Sequence, residues 1–482
     1  MHPKQLVKLL SAVTVFLSIV MLIPLIVALI HNESREVTAF VLTIVPMSVI
    51  GLSAYFLTRK DEQPLSQTDG FLFTTFTWII AATFGAVPFV LSGVLPEYSN
   101  AFFEVISGLT TTGASRITDV ESCPRSILFW RSLTNWLGGM GIVVLFVALL
   151  PALGATGGSF NLIGAESVGP VKGKLTPKTK NTAVVLYLIY FAMTVLEVLL
   201  LLPKMDLFNA VTLAFSTVST AGFSIRNASV GSYNSAYVDY VVTAFMLAAS
   251  VNFSLYYRAF TGHLKQTLKD TEFRTLLSVF MAAAVAGAVM LCMNNVYPSF
   301  AQAFRYMSFH VASVVSTTGF SNAASTYLSW PSFCIMILVL MMFIGGSAGS
   351  TGGGMKIIRI VVLFKSARTS IKRKIHPNSM FRIKISNGIV DDSVVFQILA
   401  FCATYMITWL AGATVISFSG AGIQDSLSAS ILTLGNIGLG FGHKDFSSYP
   451  LWTNWIFSFL MLAGRLELFT VYVLFSKSFW RS

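Results

Sequence analysis

Thr110-Thr111-Thr112-Gly113-Ala114-Ser115, Ser219-Thr220-Ala221-Gly222-Phe223-Ser224 and Ser316-Thr317-Thr318-Gly319-Phe320-Ser321 are three versions of one phrase, and Asn436-Ile437-Gly438-Leu439 is a looser fourth. Each follows a short amphipathic segment in an otherwise apolar chain. The glycines lie 109, 97 and 119 residues apart, a period that indicates internal duplication. Small hydroxyl residues followed by glycine suit a turn that aims backbone carbonyls at a passing species, because glycine tolerates the φ/ψ values required. Four copies predict a ring, and a ring of carbonyls that replaces a hydration shell selects a bare cation. The candidate ion-binding residues are Thr111, Thr112 and Gly113, then Thr220, Ala221 and Gly222, then Thr317, Thr318 and Gly319, and last Asn436, Ile437 and Gly438. Asn436 and Ile437 stand where hydroxyl residues are expected, so the fourth lining is the least regular. The longer TVGYG run of tetrameric potassium channels is missing, and fewer carbonyl layers predict looser discrimination among cations. The competing reading is four tight interhelical turns, since Ser/Thr-Gly pairs are common loop chemistry.

The rest of the chain sets these phrases in a membrane. Of 482 residues, 55% are hydrophobic and only 11% are charged, which points to lipid as the solvent. Ten segments of roughly 20 or more residues are long enough to span: 9–30, 39–57, 71–95, 126–151, 181–203, 237–260, 276–296, 331–364, 394–418 and 450–476. Segments 100–109, 206–218, 300–315 and 424–434 are too short to span and fit re-entrant helices. From residue 71 onward the pattern is span, short helix, glycine turn, span, four times over. The expected architecture is an all-α membrane protein with four span–pore helix–span repeats around a pseudo-fourfold pore, plus two extra N-terminal spans. Its divisions are two peripheral helices in 1–70, repeat one in 71–151, a cytoplasmic linker in 152–180, repeat two in 181–260, repeat three in 261–366, a second cytoplasmic linker in 367–392 and repeat four in 393–482. The N-terminal segment is too long for a signal-peptide core and lacks a clear cleavage site, so it reads as a retained helix.

Net charge is +12, which in a membrane protein marks cytoplasmic loops rather than nucleic-acid binding. Lys172, Lys174, Lys178 and Lys180 follow repeat one, and Arg258, Lys265, Lys269 and Arg274 follow repeat two. Lys356, Arg359, Lys365, Arg368, Lys372, Arg373 and Lys374 follow repeat three, and Lys477 and Arg481 end the chain. With ten spans all fall on one side, and the glycine turns then open from the other; Lys204 is the main exception. The four cysteines are far apart in sequence and contain no CxxC pair, so they indicate neither a zinc site nor a disulfide framework.

Two features interrupt the spans. Six of the ten residues from Gly345 to Gly354 are glycine, namely Gly345, Gly346, Gly349, Gly352, Gly353 and Gly354. Each costs a helix about 1 kcal/mol relative to alanine, so the helix is expected to break here. Unwound backbone at membrane depth needs surrounding protein or water, and a pore supplies both. This loop is read as a gate, with a passive kink as the alternative. A Walker A reading fails because Met355 separates Gly354 from Lys356. Arg465 lies inside the last span at an insertion cost of at least about 2.5–3.5 kcal/mol. Glu467 is only two residues on and faces elsewhere on a helix, so Arg465 is assigned to water or carbonyl oxygens, as part of the gate or as a helix–helix hydrogen-bonding residue. Glu104, in the first short helix, either concentrates cations or bonds a buried turn. His310 in the third reads as a structural residue, and Asp391-Asp392 as complementing a helix dipole.

These filters, the loop from Gly345 to Lys356 and Arg465 together resemble the TrkH/KtrB/HKT superfamily of potassium transport proteins, the TrkH branch most of all, over nearly the whole chain. The resemblance implies a potassium uptake pore in the bacterial inner membrane that works as a homodimer. It also implies a cytoplasmic, nucleotide-binding (NAD, ATP or ADP) regulatory ring of the TrkA type, supplied by another chain; no GxGxxG follows a strand here. Within that superfamily a serine at the first filter glycine goes with sodium, and glycine at all four positions implies potassium. Potassium is the expected ion, and no organic cofactor is expected in this chain. The alternative is a sodium-conducting or K/Na-coupled carrier of the same fold. Enzyme chemistry is not indicated, since HExxH, GxSxG and paired intramembrane aspartates are all lacking.

Overall fold

The computed structural model describes residues 2–59, 66–141, 179–376, 382–385 and 388–481. Most of the linker expected at 152–180, with Lys172, Lys174 and Lys178, lies outside the described residues, as does the second half of the span 126–151. The fold is all-α. Among the described residues the strands are a two-residue antiparallel pair, β1 (Lys384–Ile385) and β2 (Gly388–Ile389). An N-terminal hairpin pairs α1 (Pro3–Val20) and α2 (Leu22–Ile30) with α3 (Ser34–Thr58). The first repeat enters on α4 (Gln67–Gly85) and α5 (Val87–Ser92), turns through α6 (Tyr98–Leu109) and leaves on α7 (Arg125–Gly139). The second runs α8 (Thr179–Leu201), α9 (Leu207–Val218), α10 (Ala236–Ala249) and α11 (Phe253–Phe260). After α12 (Leu264–Leu268), the third runs α13 (Thr271–Met293), α14 (Phe300–Val315), α15 (Ser332–Ile344) and α16 (Ile357–Ile375). The fourth is α17 (Asp392–Ser417), α18 (Ile423–Gly435), α19 (Thr453–Arg465) and α20 (Phe469–Tyr472).

Burial separates the helix types. Every residue from Ala101 to Leu109 on α6, from Met307 to Val315 on α14 and from Ser428 to Gly435 on α18 is buried. The peripheral helix α3 and the incoming helix α8 instead expose large apolar side chains, such as Leu42, Val45 and Val49 on α3 and Leu188, Phe191 and Leu199 on α8. Apolar surface of this kind, on helices of spanning length, is a lipid-facing belt, so the protein is an integral, multi-pass membrane protein. Short helices enclosed by lipid-facing ones put their C-terminal ends at the centre of the molecule. The outgoing helices reach those ends closely only where they lack a side chain. A Cβ on Gly138 of α7 would fall on the Leu109 carbonyl, and one on Gly464 of α19 on the Leu434 carbonyl.

Two expectations change. The outgoing segments read as continuous spans are broken. Between α10 and α11 the chain bends by 93°, and between α19 and the helical turn after it by 113°. In the third repeat the break falls where the glycine run predicts it, with 12 residues from Gly345 to Lys356 separating α15 from α16. Six helices are long and apolar enough to cross a membrane, or up to eight if each bent pair counts as one span, among the described residues. Hydropathy reads through these breaks because apolar residues flank them on both sides; the backbone groups they free are met by partners inside the protein. Lys356 and Arg359, read as part of a basic flank, are also buried, at 8% and 5% exposure. The loop carries them inward, where Lys356 donates to the Gly352 carbonyl and Arg359 pairs with Glu467 and lies 3.9 Å from the centre of the Phe401 ring.

The N-terminal hairpin is tied to the first repeat by polar contacts. Glu33 accepts from the backbone N–H of Arg125 at 2.7 Å and of Ser126 at 3.1 Å, and from the Ser126 hydroxyl. These are orphan donors at the start of α7, and a carboxylate there also complements the helix dipole. Glu33→Ala is expected to cost about 1–2 kcal/mol, the range for losing a helix cap. The check is a lowered thermal unfolding midpoint of the purified protein in detergent, with transport selectivity unchanged.

Candidate functional site

The four short helices end in the same unusual turn. Thr111, Thr220, Thr317 and Asn436 have φ of 56°, 56°, 65° and 53°. In the first, second and fourth copies the next residue's N–H reaches back five residues: Thr112 to Ser107 at 2.8 Å, Ala221 to Ser216 at 2.9 Å and Ile437 to Leu432 at 2.9 Å. In the third, the Gly319 N–H takes the Ser313 carbonyl at 3.2 Å. A left-handed residue with these back-bonds is a Schellman-type helix end, where glycine is the usual occupant. A β-branched threonine there is a genuine outlier, with a strain of order 1–3 kcal/mol per residue that the surroundings must hold. Sequence reading named Thr111, Thr220, Thr317 and Asn436 as lining residues but assigned the special backbone conformation to the glycines alone, whereas the residue two before each glycine also adopts it. Asn436 carried the signal, since asparagine is among the few non-glycine residues that tolerate this conformation.

The fourth copy therefore shares its backbone with the others. Asn436 also donates to the Thr112 hydroxyl at 3.0 Å and the Met461 carbonyl at 2.9 Å. The glycines after the turn are less uniform than expected. Gly113, Gly222 and Gly319 have φ of 78°, 79° and 83°, whereas Gly438 is not in the left-handed region. Its place follows a leucine-flanked turn in which Asn436 supplies the reversal.

The four turns close on one another in order. A Cβ on Gly113 would meet the Ala221 carbonyl of the second turn, one on Gly222 the Thr318 carbonyl of the third, and one on Gly319 the backbone of Gly438 in the fourth. A Cβ on Gly438 would have the Thr112 carbonyl of the first turn 3.1 Å away. Each turn packs on the next and the fourth returns to the first, so all twelve candidate ion-binding residues lie in one ring. Thr110 to Thr112, Ser219 to Ala221, Ser316 to Thr318 and Asn436 are buried. A ring of this make presents backbone and hydroxyl oxygen with no full negative charge. Among the described residues, no group of three or more His, Cys, Asp or Glu gathers to hold a metal ion.

The glycine-rich loop lies across the C-terminal ends of the short helices. Thr351 donates to the carbonyls of Val218, at 3.2 Å, and Ala249, at 3.1 Å. The Gly353 N–H takes the Thr317 hydroxyl at 2.7 Å, and the Gly354 N–H takes the Gly435 carbonyl at 3.1 Å. The loop thus touches the second, third and fourth turns. Arg465 supplies the first: its guanidinium donates to the Thr111 hydroxyl at 3.1 Å, and to the carbonyls of Gly138 at 2.5 Å and Gly139 at 2.6 Å. It also donates to the loop itself, at the Thr351 carbonyl, at 2.8 Å. Gly345, Gly349 and Gly354 occupy left-handed positions at φ of 68°, 73° and 71°. Gly352 and Gly353 lie against the Ser316 and Gly435 carbonyls, and Gly346 against the Ser250 carbonyl. The loop's first half is held by the break of the second repeat, with the Ser347 N–H on the Ser250 carbonyl at 2.8 Å and the Phe253 N–H on the Gly349 carbonyl at 3.0 Å. Glu272 accepts the Ala348 N–H at 2.7 Å. Sequence reading missed Thr351, Glu272 and the Gly138 and Gly139 carbonyls, because each acts on a residue remote in sequence.

The remaining charges sort themselves by partner. Glu104 bonds Ser115 and the Arg116 N–H, just beyond Gly113, and the Arg131 guanidinium, at 2.7 Å, which is its structural reading. His310 is fully buried between the Tyr306 carbonyl, at 2.9 Å, and the Ser321 hydroxyl, at 3.1 Å. Glu467 meets Arg359 rather than Arg465. Asp391 stands at the N-cap of α17 and Asp392 in its first turn, as the dipole reading requires.

Known proteins share this architecture. The chain is 36% identical to the Trk system potassium uptake protein TrkH of Escherichia coli (strain K12) over 487 residues, covering all of both chains. It is 33% identical to TrkG of the same organism, covering 96% of each. The crystal structure of the potassium transporter TrkH from Vibrio parahaemolyticus superposes with a TM-score of 0.90 at 32% identity, over the whole of both chains. The family described as TrkH, cation transport protein, matches residues 32–482. With a family match over nearly all its length and relatives that it covers end to end, the chain belongs to the TrkH family of cation transport proteins and is a transporter rather than an enzyme.

Proposed function

We propose that the chain takes up potassium across the bacterial inner membrane through the ring of four turns, and that the glycine-rich loop with Arg465 forms the barrier to that flux. The single observation that carries the reading is the closed order of the turns, first on second, second on third, third on fourth and fourth on first. Relatives named as potassium uptake proteins support the choice of ion. A dehydrating potassium ion needs oxygens at near-hydration distance, and backbone carbonyls with threonine hydroxyls supply them without a full charge. The divisions of the chain follow: two peripheral helices, four pore repeats and basic cytoplasmic segments. Gly113→Ser is expected to lower the preference for potassium over sodium several-fold, because a side chain there meets the Ala221 carbonyl. Reversal potentials in proteoliposomes under opposed potassium and sodium gradients measure it, and an unchanged ratio in folded protein removes Gly113 from the filter.

The barrier has a steric part and an electrostatic part. The loop backbone crosses the inner side of the ring, and Arg465 holds a positive charge against Thr111. Its hydrogen bonds to the Thr111 hydroxyl and to the Thr351, Gly138 and Gly139 carbonyls are of the charge-assisted kind, worth about 1.5–3 kcal/mol each, so opening exchanges them for other partners. Glycine makes that rearrangement inexpensive for the loop. Shortening Gly346–Gly353 and, separately, Arg465→Ala are expected to raise potassium flux several-fold. Size-exclusion profiles matching the parent establish folding; folded variants that conduct no faster would make the loop a structural kink.

The relatives are named as parts of a Trk system, and the family resemblance supplies the partner: a nucleotide-binding ring of the TrkA type acting on a homodimer of this chain. Exposed Lys372, Arg373 and Lys374 at the end of α16 continue from the loop and are suited to an acidic face. Because exposed pairs are screened within about 8 Å at physiological salt, co-purification with a TrkA-type protein is expected to weaken as salt rises. A salt-insensitive complex would remove the charged docking while leaving the partnership.

A further inference from the structure

Two residues beyond each filter glycine, at Ser115, Ser224, Ser321 and Gly440, every turn is tied down by a side chain from outside it. Ser115 donates to Glu104 at 2.8 Å. The Ser224 carbonyl accepts from Arg131 at 2.8 Å, and the same guanidinium donates to Glu104 at 2.7 Å. The Ser321 hydroxyl meets the His310 ring at 3.1 Å. The Gly440 carbonyl accepts from the Tyr327 hydroxyl at 2.6 Å, and the Tyr327 ring centre lies 5.2 Å from that of His310.

Glu104 and His310 hold the same register, each nine residues before its filter glycine and eleven before the serine it ties. The corresponding positions in the second and fourth repeats, Leu213 and Ala429, have no polar group to offer. Those two turns are held from the neighbouring repeat instead. Arg131, on the outgoing helix of repeat one, reaches the second turn, and Tyr327, ahead of the outgoing helix of repeat three, reaches the fourth. The ties therefore join repeats one and two through a charged pair and repeats three and four through a neutral one. All four tying side chains are at least nine-tenths buried.

We propose that these four ties form a collar that sets the aperture of the filter, with Glu104, Arg131, His310 and Tyr327 as specificity-determining positioning residues. The proposal rests on the filter reading above and deepens it. A short filter with few oxygen layers cannot enforce cavity size by its own length. Threonines held in a strained conformation relax unless something over-determines them. The collar does this on the far side of the glycines from the loop, so it acts on selectivity and leaves the barrier alone.

Tyr327→Phe removes one hydroxyl and keeps the ring, and His310→Leu removes the tie to Ser321. Each is expected to raise sodium permeability relative to potassium several-fold in proteoliposomes. His310→Gln, which keeps a polar atom in reach of Ser321, is expected to restore the ratio. A purely structural role would change the amount of folded protein or the flux and not the ratio. If Gly113→Ser shifts the ratio and folded Tyr327→Phe does not, the collar is wrong and the filter stands. If neither shifts it, the filter reading falls and takes the collar with it. Should His310→Leu fail to fold, Tyr327→Phe decides alone.

Discussion

The structure depends on backbone meeting backbone where four helices end. Gly113, Gly222, Gly319 and Gly438 each lie so close to the next repeat that a single added carbon has no room, or barely any at Gly438. Such contact fixes the spacing of the short helices more tightly than side-chain packing can, since side chains change rotamer and backbone does not. It also forces the residues leading into the ring to reverse within one position. Three threonines and an asparagine accept a left-handed conformation to do so. Helix back-bonds lie on one side of that conformation, and hydrogen bonds to Ser115, Ser224, Ser321 and Gly440 lie on the other.

The same constraint explains the broken outgoing helices. Helix ends buried in the centre of a membrane protein leave carbonyls without partners. Something must meet the Val218, Gly435, Gly138 and Gly139 carbonyls, and water is only one candidate. The loop and Arg465 meet all four. An unwound loop has N–H groups to spare, and a guanidinium has five donors and no acceptor. The features that violate ordinary membrane-helix rules are thus complementary: glycine-rich backbone and an arginine satisfy what the ring of helix ends leaves open.

Repeats within one chain can differ as four identical subunits cannot. Asn436 takes a position that is threonine elsewhere, and its amide spans to Thr112 and Met461. Among the described residues the loop belongs to the third repeat alone, and Arg465 to the fourth. Glu104 and His310 share a register with opposite chemistry. Duplication followed by divergence suits this geometry.

Much of this was legible in the chain. Length, hydropathy and the recurrence of Gly113, Gly222, Gly319 and Gly438 determined a membrane protein with four repeats, because period and apolar length are local properties. The glycine content of 345–354 determined a helix break, because glycine's cost is paid residue by residue. The cost of Arg465 in lipid determined that it needs polar oxygen. Tertiary structure alone decided which oxygen: the Thr351 carbonyl, 114 residues away, and the Gly138 carbonyl, 327 away. It also decided that Lys356 and Arg359 turn inward while Lys372 to Lys374 stay out, though all belong to one basic run. Hydrogen-bond partners remote in sequence leave no periodic trace. Bends at Ser250 to Asn252 and Leu466 to Leu468 leave none either, since the flanking residues are as apolar as in an unbroken span. What composition and spacing encode is which segments must be buried and which must break; where they meet is set only when four helix ends compete for the same small volume.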